Sequence, residues 1–322
     1  MTGGEQVAIE MVKRNITEGL YDPRSGGEAI RIEGLKLGRK PFEPVRTNYF
    51  SVYLIEAGSG TCWADASQFT FSPGSLLFFV PYQHIRFEPA SPVHAECVQF
   101  HANFLCVETF HAEVGCSGVL FNDPYGIPAV TLDGQVRSDV RNLIERIRQE
   151  HAERNLAYGE VMLAHLKVLL VLATRLKSAD PSACGIGTNL RHPVLAELRD
   201  LIEQNFQTLH SPAEYAKRLH ITAKTLGRIV REELGTTPTD LIRNRILIHA
   251  KWQLLHTLKP VKEVAREVGF SDELYFSRLF KKATGHSPTF FREFETEIRG
   301  GSNLSMTSSH APILRSAATS DT

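Results

Sequence analysis

The sequence predicts two domains, a strand-rich N-terminal domain and an all-α C-terminal domain. Three observations support this prediction. Short strand-like runs separated by Gly and Pro turns fill much of the first half, which is typical of a sandwich or small β-barrel. Two amphipathic helical segments follow, and the last third repeats a helix-turn-helix pattern. With 322 residues, the chain is long enough for each domain to bury its own core.

The composition excludes several classes of protein. Apolar residues make up 42% and charged residues 22% of the chain, the balance of a soluble globular protein. No apolar run approaches the ~20 residues that span a bilayer, and the first residues lack the pattern of a secretory signal. Five cysteines without CxxC spacing indicate reduced thiols in a cytoplasmic protein. Residues 188–299 contain 18 Lys and Arg against 14 Asp and Glu, a net charge of +4 that suits an anionic partner.

The C-terminal third contains two copies of one helix-turn-helix unit. Residues 226–242 align with residues 276–292 at an offset of fifty, and the offset becomes forty-nine upstream of the turn. Ser211 and Pro212 begin the first unit, and a long helix from Pro238 to about Thr257 joins it to the second. The predicted caps and stops of the second helices are Thr222 and Gly235 in the first unit, and Asp272 and Gly285 in the second.

The second helix of each unit has an inward apolar stripe and an outward side that carries arginine. In the second unit the stripe is Phe276, Leu279, Phe280 and Ala283. One such helix alone would most simply be a solvated surface helix. An arginine at the same outward position in both units favours DNA binding instead. A helix of this kind fits a major groove, where arginine can donate two hydrogen bonds to guanine. The predicted base-reading residues are Lys224, Arg228, Glu273, Leu274, Ser277 and Arg278, and the predicted phosphate contacts are Arg231, Lys281 and Lys282.

Residues 211–292 resemble the double helix-turn-helix domain of the AraC/XylS transcription regulators. The run VAREVGFSDELYFSRLFKKATGHSPTFFR (Val264–Arg292) resembles the family signature over its whole length. The resemblance implies that both second helices enter successive major-groove segments on one face of DNA. The first unit departs from the pattern, because His220 stands where glycine is common and Gly227 offers no side chain on the outward face. We therefore expect the first unit to read fewer bases.

The N-terminal half contains the strand signals. Tyr49–Ala64 has two β-rich runs around Ala-Gly-Ser-Gly, which predicts a hairpin. Phe69–Pro89 predicts a strand, a Pro-Gly turn and an apolar strand, and Ala95–Leu105 predicts another strand. This order resembles the cupin-like effector and dimerisation domain that precedes the DNA-binding domain in AraC/XylS regulators. The resemblance implies an N-terminal cupin-like β-barrel.

No metal, cofactor or catalytic residue is expected in this barrel. A metal cupin needs a His-x-His pair and a carboxylate whose lone pairs converge on one ion, but the histidines here are dispersed. Cys97 and Cys106 are expected to be buried structural thiols rather than redox sensors. Tyr53, Trp63, Phe78 and Tyr82 are candidate linings of an effector pocket, although each is more simply explained as core. The effector-binding residues stay unassigned. The dispersed histidines are His84, His94, His101 and His111.

Two helices, residues 135–153 and 158–177, complete the predicted N-terminal domain (residues 26–177). The apolar stripe of the second helix is broad enough to cover the barrel and to meet a partner chain, which predicts a homodimer. In the alternative, both helices only cap the barrel. The remaining predicted segments are an N-terminal arm (1–25), a linker (178–189), the double helix-turn-helix domain (190–299) and a disordered tail (300–322).

The sequence thus predicts a sequence-specific DNA-binding transcription regulator. Its expected partners are double-stranded promoter or operator DNA and a second copy of the chain, with RNA polymerase and a small-molecule effector as further candidates and no membrane. One alternative is a metal-dependent cupin enzyme whose helical domain only binds a partner. Another is a regulator without an effector, in which the barrel only dimerises.

Overall fold

The computed structural model describes residues 19–65, 67–105, 120–121, 127–179 and 193–298. The described residues up to 179 form a β-domain, and residues 193–298 form a helical domain. The predicted tail and most of the predicted linker lie outside the described residues, as does Cys106. No described helix combines the length and the apolar character needed to cross a bilayer.

The described part of the β-domain contains eight strands in two antiparallel sheets. One sheet has five strands in the order β1-β7-β2-β5-β8, and the other has three in the order β4-β3-β6. The strands are β1 (Ile30–Leu37), β2 (Phe50–Ala57), β3 (Gly60–Ala64), β4 (Ser67–Phe71), β5 (Ser75–Phe79), β6 (Ile85–Pro89), β7 (Val93–Phe100) and β8 (Ala129–Thr131).

The two-domain fold class is confirmed, but the sheets face each other as a sandwich, and the described strands do not close the expected barrel. The hairpin predicted across Tyr49–Ala64 is also wrong. Strand β2 pairs with β5 and β7, whereas β3 pairs with β4 and β6. Gly58, with a φ of 86°, turns the chain from one sheet to the other while its backbone passes close to Pro92. The Gly-rich signal therefore marks a change of direction without saying which strands pair.

Aromatic side chains fill the space between the two sheets. The rings of Tyr53, Phe79 and Phe87 pack with centroid distances of 5.6 to 6.2 Å. Cys62 and Cys97 are buried in the same cluster. Burial raises the pKa of both thiols, to about 12 for Cys97. Neither thiol is therefore an appreciable thiolate near neutral pH, which agrees with a structural role for Cys97.

Two helices, α1 (Gly134–Glu153) and α2 (Tyr158–Ala179), cover the outer face of the five-stranded sheet. Helix α1 buries Val140, Ile144 and Ile147, which lie on one helical face. Helix α2 buries a broader set that includes Met162, Leu166 and Leu169, but Val168 on another face is 48% exposed.

The helical domain consists of seven helices within residues 193–298. Helices α4 and α5 form the first predicted unit, α7 and α8 form the second, and α6 joins them. Helix α3 was not assigned from the sequence, yet its buried leucines pack into the domain core. The helices are α3 (Pro193–Asn205), α4 (Pro212–Arg218), α5 (Ala223–Leu234), α6 (Pro238–His256), α7 (Val261–Glu267), α8 (Glu273–Thr284) and α9 (Pro288–Ile298).

The two domains share one hydrophobic cluster. Leu20, Tyr21, Tyr49 and Tyr82 of the β-domain are buried together with the core of the helical domain. Leu20 and Tyr21 belong to the predicted N-terminal arm, of which residues 1–18 lie outside the described residues. These two residues of the arm therefore pack between the domains.

Candidate nucleic-acid interface

The first helix-turn-helix unit is set by its turn and by the caps of α5. His220, in the turn after α4, has a φ of 55°, in the left-handed region that few side chains adopt. The Thr222 hydroxyl oxygen accepts a hydrogen bond of 3.0 Å from an amide in the first turn of α5. Gly235 ends α5 with a φ of 62°. Ser211 occupies the N-cap position of α4 without a side-chain cap hydrogen bond, so its predicted capping role is wrong in that detail.

The second unit repeats this geometry with different residues. Gly269 takes the turn position with a φ of 87°, and a Cβ atom there would collide with the Gln207 carbonyl and the His210 ring. The Asp272 carboxylate accepts hydrogen bonds of 2.8 and 3.2 Å from two amides at the start of α8. Gly285 ends α8, also with a φ of 87°. Both units therefore share one backbone path. At the second turn, both the left-handed backbone and the lack of space for a Cβ atom favour glycine.

The buried sides of α5 and α8 match the predicted stripes in part. Phe276 and Phe280 of α8 are fully buried. Leu279 and Ala283, expected in the same inward stripe, are only half-buried, because they line a cavity between the two domains. The buried apolar residues of α5 are Leu226, Ile229 and Val230.

The predicted DNA-contacting residues fall into two groups, one on each second helix. Arg228 is held on the surface of α5 by an ion pair of 2.6 Å with Glu232. Arg278 has a weaker local contact, because its Nε atom donates to the Leu274 carbonyl of its own helix at 3.3 Å. Seven of the predicted residues are exposed, namely Lys224, Arg228, Arg231, Leu274, Arg278, Lys281 and Lys282, while Glu273 and Ser277 are half-buried.

A cavity of about 820 Å³ lies between the β-domain and the helical domain. Phe50 and Phe78 belong to its β-domain wall, and Trp252 of α6 and Arg278 of α8 belong to its helical wall. Of the four candidate pocket residues, Phe78 and Tyr82 line this cavity, whereas Tyr53 and Trp63 do not. The cavity itself has no local signal in the sequence. Its walls come from segments far apart in the chain, and no local pattern indicates which of them meet.

Cationic side chains outnumber carboxylates on the cavity wall. Burial lowers the pKa of Lys251, whose ammonium group donates to the Pro81 carbonyl at 3.2 Å. The excess of positive charge beside aromatic rings suits an organic anion. The described residues contain no cluster of three or more His, Cys, Asp or Glu side chains that could hold a metal ion. The charged lining comprises Arg46, Arg243, Lys251, Arg278 and Lys282 against Asp65, Asp240 and Glu295.

Two family models match the chain, one in each domain. A model described as a helix-turn-helix domain matches residues 215–293. A model described as an AraC-like ligand binding domain matches residues 39–166. The order of the two matches is the order predicted from the sequence.

The chain is also similar to individual proteins and solved structures, over different shares of its length. The HTH-type transcriptional activator RhaS of Yersinia pestis (strain Pestoides F) is 25% identical over 247 residues, which is 76% of this chain and 87% of that protein. ToxT from Vibrio cholerae O395 is 11% identical with a TM-score of 0.35, covering 83% of this chain and 98% of that chain. The C-terminal domain of AraT, a response regulator from Geobacillus stearothermophilus, is 31% identical with a TM-score of 0.32, covering 33% and 88%.

Proposed function

This chain belongs to the AraC/XylS family of DNA-binding transcription regulators, and from that membership we propose how it reads DNA. Helices α5 and α8 enter two successive major-groove segments of a promoter or operator. The curated relatives are regulators and the protein is not an enzyme, so the cupin-enzyme alternative is not retained. Because RhaS is named as an activator, activation is the proposed direction of regulation.

The observation that supports this reading is the exposure of cationic side chains on both second helices. The opposite sides of these helices are buried in the domain core, so their rotation about the helix axis is fixed. Arginine can donate two hydrogen bonds to one guanine, which discriminates by about 1–3 kcal/mol. The proposed base-reading residues are Lys224, Arg228, Glu273, Leu274, Ser277 and Arg278.

A second group of cations is proposed to bind phosphate. Arg231, Lys281 and Lys282 lie toward the C-terminal ends of α5 and α8 and are exposed. Phosphate contacts release counterions and add affinity without sequence preference. This group therefore sets the salt dependence of binding, and the base-reading group sets its specificity.

An effector is proposed to bind in the cavity between the domains. The space between the two sheets is filled by aromatic rings, whereas the interdomain cavity has the volume of an ordinary ligand site. A ligand there would touch both domains and could alter their contact. Its proposed class is an organic anion with an apolar body, since cations and aromatic rings share the wall.

Thermal unfolding of the protein in the presence of organic acids tests the effector proposal. A rise in unfolding temperature that the Lys251→Met variant loses would support binding in the cavity. If binding persists in Lys251→Met and is instead lost on changes between the sheets, the site is in the sandwich. If no organic acid raises the unfolding temperature and the chain still binds DNA, the result supports the alternative in which the β-domain only dimerises.

A homodimer formed through the β-domain is the proposed active species, with RNA polymerase as a further partner in the cytoplasm. Val168 lies on the solvent side of α2 and is large, apolar and exposed. Linking two DNA-binding modules multiplies affinity through effective concentration. Sedimentation of the wild type and of Val168→Lys tests this surface, and an unchanged dimer in the variant would place the interface elsewhere.

Selection from a random duplex library by the full chain tests the central proposal. The expected result is an enriched sequence with two conserved blocks about one helical turn, or 10–10.5 base pairs, apart. Binding without any enrichment at low and at physiological salt would contradict sequence-specific reading.

A further inference from the structure

The first turn of α8 exposes two large apolar side chains next to each other. Leu274 is 71% exposed and Tyr275 is 52% exposed. Of the large apolar side chains in the described helices, Leu274 is the most exposed, and it takes no part in the core of the helical domain. Adjacent apolar side chains in water mark an interaction surface when charged groups surround them. Leu274 and Tyr275 are therefore available to a partner molecule.

Local contacts hold this apolar patch in place. The Asp272 carboxylate accepts hydrogen bonds of 2.8 Å from the Leu274 amide and 3.2 Å from the Tyr275 amide. The Tyr275 ring packs against Phe270 with 5.7 Å between the ring centroids. Arg278, one turn further along α8, donates from Nε to the Leu274 carbonyl at 3.3 Å. Because the backbone is already ordered, little conformational entropy is lost when a partner binds.

The charges on α8 indicate what kind of partner the patch meets. The helix carries three exposed cations, Arg278, Lys281 and Lys282, against a single carboxylate, the half-buried Glu273. A partner that fits this surface is anionic around an apolar centre. The major groove of DNA has this character, since phosphates border it and the C5-methyl group of thymine projects into it. The N-terminal residues of a recognition helix are also the ones that contact base edges.

The first helix-turn-helix unit lacks this patch. At the offset of fifty residues, Lys224 and Thr225 stand where the second unit has Leu274 and Tyr275. The Thr225 hydroxyl lies 2.8 Å from the Thr222 hydroxyl within the cap of α5. The two units share one backbone path, so the geometry of the unit does not require apolar residues at these positions. The patch therefore concerns what the second unit binds.

We propose that Leu274 and Tyr275 read thymine through its C5-methyl group in the block of DNA that α8 binds. This inference rests on the proposed function. Leu274 precedes Arg278 by four residues, which is about 6 Å along the helix axis. Base pairs are stacked about 3.4 Å apart. The thymine should therefore lie about two base pairs from the guanine proposed for Arg278.

Deoxyuridine in the selected duplex tests the contact, because it differs from thymine only in the C5-methyl group. The block bound by α8 is the one that contains the position whose preference Arg278→Ala relaxes. Deoxyuridine in place of the thymine about two base pairs from that position should weaken binding by the wild type about fourfold, the effect of one buried methyl group. The same replacement in the other block should cost less, since Lys224 and Thr225 are polar.

Three variants of the full chain assign the effect to the patch. Leu274→Ala should remove most of the difference between thymine and deoxyuridine, because its side chain no longer reaches the methyl group. Tyr275→Thr, which installs the residue of the first unit, should remove part of it. The matched control is Leu258→Ala, at an 88% exposed leucine between α6 and α7, and it should keep the full difference. The readout is a ratio of two affinities, so a general loss of binding cancels.

Methylated cytosine provides a gain of affinity as a second readout. Cytosine in place of the same thymine should weaken binding, since both the methyl group and the base edge change. Methylation of that cytosine at C5 should restore about fourfold in affinity for the wild type, and nothing for Leu274→Ala. Restoration of the same size in both proteins would overturn the assignment to Leu274.

The outcomes separate this inference from the proposed function. An equal ratio of affinities for thymine and deoxyuridine in the wild type and in Leu274→Ala overturns methyl reading, as does a selected α8 block without thymine at the expected distance. A ratio that Leu274→Ala changes and Tyr275→Thr does not would support Leu274 and overturn the contact of Tyr275. A wild type that selects no duplex overturns the proposed function, whereas a selected duplex without the methyl effect overturns this inference alone.

Discussion

The two helix-turn-helix units follow one backbone path but achieve it with different residues. Both turns enter the left-handed region, at His220 in the first unit and at Gly269 in the second. The first turn is exposed, whereas the second packs against the Gln207 carbonyl and the His210 ring. Both units therefore need a left-handed residue at the turn, and packing decides where only glycine fits.

The outward faces of the two units differ more than their backbones. Arg228 forms an ion pair with Glu232 and follows a glycine. Arg278 lies beside the interdomain cavity, where its Nε atom donates to the Leu274 carbonyl of its own helix. The second unit thus has more side chains that are proposed to contact bases. Its Arg278 also lines the cavity that separates α8 from the β-domain. We expect most sequence preference, and most regulation, to act through α8.

The largest expected difference between the units is the loss of stability when the turn residue is changed to alanine. Gly269→Ala should destabilise the helical domain, because left-handed backbone costs about 1–2 kcal/mol and the collision adds about 1–3 kcal/mol. His220→Ala, at the equivalent exposed turn, should change stability by less than about 0.5 kcal/mol. Urea unfolding followed by Trp252 fluorescence in a Trp63→Phe background measures both, since the chain has two tryptophans. A loss for Gly269→Ala of no more than about 1–2 kcal/mol, the backbone cost alone, would mean that packing does not distinguish the two turns.

The next effect concerns base reading. Arg278→Ala should weaken binding to the selected duplex by about 1–3 kcal/mol and relax preference at one position. Arg228→Ala should cost less, since Arg228 gives up its pair with Glu232 on reaching a base. Anisotropy titrations against selected and scrambled duplexes separate the two. An equal loss on all sequences for Arg278→Ala would rule out a base-reading role.

A smaller effect is expected at the proposed phosphate contacts. Lys281→Ala should weaken binding to every duplex alike and reduce the slope of log affinity against log salt by about 0.9. Lys36→Ala, an exposed change in β1, serves as the control and should leave the slope unchanged. A titration at four salt concentrations gives both slopes, and a sequence-dependent loss for Lys281→Ala would move that residue to the base-reading group.

The smallest effect is expected at Gly227. A Cβ atom there meets no atom within 4 Å, so Gly227→Ala should stabilise α5 by up to about 1 kcal/mol. DNA preference should not change, because a methyl group at this position donates no hydrogen bond. The same urea experiment measures the gain. A shift in the selected DNA sequence would instead indicate that the α5 backbone approaches a base at this residue.

The helical domain could be predicted closely from the sequence because its signals are local. Thr222, Asp272, Gly235 and Gly285 each fix a helix end through contacts within a few residues. The strand pairing of the β-domain could not be predicted as well, since the pairing of β2 with β7 joins residues 37 to 50 positions apart. Leu279 illustrates the same limit, because helical spacing identifies an apolar side but not whether another domain stands opposite.

The placement of Glu295 also constrains how such a protein can evolve. Its carboxylate belongs to the last helix, yet the groups that satisfy it belong to the other domain. A recombinant that joined this helical domain to a different β-domain, without equivalents of Asn48 and Tyr82, would leave the buried acid with fewer hydrogen-bond donors. Substitutions on the two sides are therefore expected to be coupled, so that exchange of one domain alone should destabilise the chain.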